Sequence, residues 1–124
     1  MSKFLFSLLL LSFSLFAAEE HATMSLSRAS NKLVVTINHD EGWHTYWKNP
    51  GDAGIASVFK FSANGQPLSA KAYEWPLPEK HIEGGDILTI GYEGKQHFFF
   101  DDLPGTIDAH IAVLICKDIC IPGE

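Results

Sequence analysis

Apolar and polar residues along most of this chain alternate with a period of two rather than 3.6. Met24, Leu26 and Arg28 alternate with Ser25 and Ser27, and Leu33, Val35 and Ile37 with Val34, Thr36 and Asn38. Ile107, Ala109, Ile111, Val113 and Ile115 form one face of a later run, with Asp108 and His110 on the other. Such alternation predicts half-buried strands. Between the runs stand Ala29-Ser30-Asn31, Asn49-Pro50-Gly51-Asp52, Ala63-Asn64-Gly65-Gln66-Pro67, Glu83-Gly84-Gly85-Asp86, Glu93-Gly94-Lys95 and Leu103-Pro104-Gly105. Gly, Asn and Pro supply the backbone angles that turns require. The pattern predicts about seven or eight strands, at roughly 22–28, 32–38, 43–48, 57–62, 70–75, 87–92, 96–100 and 107–115, and no amphipathic helix. WPLPEKHIEGGD, residues 75–86, is the longest stretch without strand character, and its two prolines keep it out of a central strand.

Short strands at this spacing predict an all-β fold, an immunoglobulin-like antiparallel β-sandwich, with a small barrel as the alternative. At 124 residues and 46% apolar, the chain supports one core. Its first eighteen residues, MSKFLFSLLLLSFSLFAA, stand apart. One early charge (Lys3), an apolar and serine run, and small residues at Ala17 and Ala18 are the layout of a secretory signal peptide. The run from Phe4 to Ala18 is shorter than the ~20 residues that span a bilayer. The expected division is therefore a leader over 1–18 and one exported domain over 19–124, with no other membrane insertion.

The formal charge is −6, or −7 once Lys3 leaves with the leader. No basic cluster remains, which argues against nucleic acid and anionic membranes as partners.

The two cysteines, Cys116 and Cys120, close the longest strand-like run. The β-branched residues before them and Pro122 after them argue against a helix. In a hairpin, Lys117-Asp118-Ile119 turn the chain and the cysteines become the first cross-strand pair. Directly opposed residues have Cα atoms ~4.5–5.5 Å apart, within reach of a disulfide. Three roles stand open: a structural clip, a redox pair, or two thiolate ligands for a soft ion such as Cu(I) or zinc. As a clip the bridge is weak, because a five-residue ring restrains the unfolded chain by only about 2 kcal/mol. The six histidines, His21, His39, His44, His81, His97 and His110, form no close pair in sequence.

CKDICIP at 116–122, with GWHTYWKNPGDAG at 42–54 and WPLPEKHIEGG at 75–85, resembles the periplasmic N-terminal domain of the DsbD and ScsB thiol–disulfide interchange proteins, and more nearly the ScsB branch. The resemblance runs from about residue 22 to 122. It implies an immunoglobulin-like domain with a redox-active hairpin, protein-disulfide reductase activity and no cofactor. It implies as partners a membrane-embedded electron-donor domain, absent here, and periplasmic thioredoxin-like proteins such as disulfide isomerases and cytochrome c maturation factors. Cys120 then corresponds to the cysteine that forms mixed disulfides and Cys116 to its resolving partner. The 75–85 segment corresponds to a cap over the pair, with Ile82 about where an aromatic cap residue stands, and Trp43 and Tyr46 flank the site. A copper-tolerance role and an interaction domain with a purely structural bridge are the alternatives. Family members continue into a return strand and a membrane domain, so this sequence is expected to be a truncated piece.

Overall fold

A computed structural model describes residues 16–124, which are strands, turns and loops throughout. The leader expected over 1–18 lies outside these residues except for its last three. Twelve strands follow one another: β1 (Phe16–Glu19), β2 (Ala22–Ala29), β3 (Lys32–His39), β4 (Thr45–Gly51), β5 (Val58–Ala63), β6 (Gln66–Leu68), β7 (Ala72–Glu74), β8 (Glu79–Glu83), β9 (Ile87–Tyr92), β10 (Lys95–Asp101), β11 (Asp108–Cys116) and β12 (Cys120–Gly123). They form three antiparallel sheets, ordered β1-β2-β3-β10-β7, β12-β11-β5-β6 and β4-β9-β8.

The β2–β3 hairpin turns at Ser30, which takes positive φ, and is in register from Ala29↔Lys32 to Ala22↔His39. Asn64 and Gly65 both take positive φ between β5 and β6, as a two-residue hairpin loop demands. The core lies between the first two sheets. Met24, Val35, Ile37, Phe98 and Phe100 come from one side, and Phe61, Ile111, Val113 and Ile115 from the other. Phe98 has the rings of Phe59, Tyr92 and Trp75 within 5.1 to 5.5 Å. In the Phe98-Phe99-Phe100 triplet the outer two are buried, as strand alternation requires.

Strands β8 and β4 depart from the pattern-based expectation near the site, and β6 forms where a turn cluster was expected. Residues 79–83, inside the stretch read as loop, form β8 and pair with β9 from Glu79↔Gly91 to Glu83↔Ile87. At the start of β4 three consecutive residues, His44, Thr45 and Tyr46, are all buried, where a half-buried strand alternates. The cause is position. Thr45 and Tyr46 pair with Tyr92 and Gly91 on β9, while His44 bridges to Cys116 on β11, so the start of β4 is covered from both sides.

Candidate functional site

The hairpin at the end of β11 carries the site. Ile115↔Ile121 and Cys116↔Cys120 are in register, so the two cysteines are directly opposed at the mouth of the turn. They are joined by a disulfide, with Cα atoms 4.1 Å apart. Lys117 N–H donates to the Ile119 carbonyl at 2.9 Å and closes the tip, whose residues 117–120 are all exposed. The halves of the pair differ sharply: Cys116 is 0% exposed, whereas Cys120 faces solvent. An incoming thiol therefore meets Cys120.

Cys116 is held by its backbone. Its N–H donates to the His44 carbonyl, and His44 N–H donates to the Cys116 carbonyl, both at 2.9 Å. His44 opens a buried polar network. Its Nε2 lies 3.0 Å from Glu83 Oε2 and 3.3 Å from the Tyr46 hydroxyl. Tyr46 donates to both Glu83 oxygens, at 3.2 and 3.3 Å, and the Thr89 hydroxyl donates to Oε2 at 2.5 Å. The His81 ring stacks on His44 at 5.2 Å, and His81 Nε2 is bound to Glu93 at 2.6 Å. Gly54 keeps φ +96°, and a Cβ there would meet the Tyr46 ring at 2.5 Å, so glycine is needed where the loop crosses that ring.

The network sets its own protonation. Burial alone would push the Glu83 carboxyl up. The hydrogen bond from Thr89, the charge and hydrogen bond of His44 and the bond from Tyr46 outweigh it, and hold Glu83 below the usual range. Burial first, then the Glu83 charge and hydrogen bond, push the Tyr46 hydroxyl up to about 12.

Of the residues expected at the site, Cys116 and Cys120 are together and Tyr46 joins the network beside them. Trp43 precedes His44, stacks on His21 at 3.9 Å and packs against the core. Ile82 is 64% exposed, on the face of β8 opposite His81 and Glu83. Sequence reasoning passed over His44, Glu83 and Thr89. The available signal was the place of His44 in the GWHTYW block, two residues before Tyr46. Among the described residues no group of three or more His, Cys, Asp or Glu is placed to hold a metal, and no helix is long and apolar enough to cross a membrane.

The immunoglobulin-like sandwich presents Cys120 at an end hairpin with Cys116 buried behind it, an arrangement suited to thiol–disulfide interchange. Residues 13–124 match the family model "Thiol:disulfide interchange protein DsbD, N-terminal", and the chain belongs to that family. The fold is similar to the N-terminal periplasmic domain of ScsB from Proteus mirabilis, with a TM-score of 0.63 and 20% identity over 90% of this chain and 49% of that one. It is also similar to the reduced N-terminal domain of DsbD from Neisseria meningitidis, with a TM-score of 0.62 and 14% identity over 85% of this chain and 81% of that one. The chain thus spans about half the length of the ScsB structure. No curated protein matches it.

Proposed function

We propose that this domain is exported by its 1–18 leader to the periplasm, where it acts as a protein-disulfide reductase. It receives electrons from a membrane-embedded donor domain and passes them through Cys120 and Cys116 to oxidised thioredoxin-like proteins. The observation that carries the reading is the asymmetry of the pair: one cysteine exposed at a hairpin tip, the other buried behind it. Interchange through a mixed disulfide needs one accessible sulfur and a second positioned to resolve the intermediate. The weak restraint of so small a ring, about 2 kcal/mol, favours a bond that opens over a staple. β8 covers His44 behind the buried Cys116 through His81 and Glu83, with Ile82 on its outer face.

The test is a trap. Cys116→Ala leaves Cys120 without its resolving partner, so periplasmic proteins should accumulate on Cys120 as mixed disulfides, visible on non-reducing gels and released by reductant. An empty trap, with a wild-type reduction potential well below about −300 mV, marks a structural bridge and ends this reading.

A further inference from the structure

We infer that His44, oriented by Glu83, takes the proton from the Cys116 thiol when the mixed disulfide is resolved and returns it in the reverse reaction. This rests on the interchange reading above. In that reaction the Cys120 thiolate attacks a partner disulfide, and one partner sulfur leaves. The Cys116 thiol then loses its proton, and its thiolate attacks Cys120 Sγ. The bond between Cys120 and the partner breaks, and the partner departs as a thiolate. The pair ends oxidised and the partner reduced by two electrons. Only a thiolate can attack, and burial disfavours a thiolate. In the oxidised pair Cys116 is 0% exposed, so water has poor access to that position and a protein group beside it is better placed to take the proton.

His44 is placed to be that group. The paired backbone bonds make it the residue directly opposite Cys116. Directly opposed residues project their side chains to the same face of a sheet, with Cβ atoms ~4.5–5.5 Å apart. The hydrogen bonds of the His44 ring run through Nε2, which donates to the Glu83 carboxylate. The neutral ring therefore holds its proton on Nε2 and its basic lone pair on Nδ1, as in triads where a carboxylate fixes the tautomer of a histidine base. Glu83 is itself fixed by Thr89 and Tyr46, and its charge compensates the one the ring gains. The other titratable groups around His44 are Tyr46 on its own strand, His81 stacked from β8 with Glu93 behind it, and His39 at the end of β3.

The test uses the reduced, purified chain and an aromatic disulfide reagent that releases a coloured thiolate. Cys120 gives the first release, and closure by Cys116 gives the second. In His44→Gln the first release should stay within about twofold of wild type. The second should slow by on the order of 10²-fold near pH 7, the low end of general-base contributions. At about pH 9.5 hydroxide competes for the thiol proton as a base in its own right, and the deficit should shrink to a few-fold. Glu83→Gln should slow the second release less, with the same pH dependence. An unchanged second release, or a deficit equal at both pH values, overturns the inference, since a packing role has no reason to vanish at high pH. Should His44→Gln fail to fold, Glu83→Gln carries the same criterion. A wild-type chain that never gives a second release overturns the interchange reading itself, and the role of His44 with it.

Discussion

His39 shows how the polar interior depends on protonation. Its Nδ1 donates to the Gly94 carbonyl at 2.6 Å, and its Nε2 accepts from the Thr45 hydroxyl at 2.9 Å, a pairing that suits the neutral ring. Burial pushes its pKa below 6.5; the Gly94 bond and Glu93 oppose this, and His44 adds to it. A histidine depressed in the fold binds its proton first in the unfolded chain. Its contribution is therefore complete above about pH 6.5 and is lost as pH falls from there towards the folded value. Glu83, held below its usual range, acts with the same sign further down: its contribution is present above about pH 4.5 and lost in stronger acid. The unfolding free energy from denaturant titrations should thus drop between about pH 7 and 5, by about 1.4 kcal/mol for each tenfold difference in proton affinity. His39→Gln should flatten the upper part of that slope and keep the lower. An equally steep slope in the variant would place its source elsewhere.

At the scale of elements, β8 shields the site from one side. His81 and Glu83 turn inward to His44 and Ile82 turns outward, the reverse of the usual apolar-in arrangement. Replacing Ile82 by Gly removes the exposed side chain and loosens the strand. Small oxidants should then close the reduced pair a few-fold faster, as stopped-flow mixing would record; an unchanged rate would leave the shielding to Glu83 and its partners. The inversion also explains why β8 was illegible. Pattern reading finds a strand by its apolar face, and Glu79-Lys80-His81-Ile82-Glu83 has none facing the core. The β11–β12 hairpin was legible because a three-residue turn fixes which residues oppose each other, whatever their polarity. β6 escaped notice because it is only three residues long.

For the molecule as a whole, the sandwich was legible because its core follows alternation: Leu33, Val35 and Ile37 on β3, and Ile111, Val113 and Ile115 on β11. The site was legible only in part. Both cysteines could be named from spacing, but His44 and Glu83 lie thirty-nine residues apart, and only the tertiary fold brings them to 3.0 Å. Nor does spacing reveal that β4 touches β11, where His44 and Cys116 join the three-stranded sheet to the four-stranded one. That junction decides which part of the domain yields when the sulfurs separate. With both peptide groups of Cys116 clamped, its strand has no slack, and the rearrangement falls to the tip. Backbone resonances of the oxidised and reduced forms should diverge over Lys117–Cys120 and coincide along Asp108–Ile115. The domain would then meet its partners in either state as a rigid body with one small movable lip.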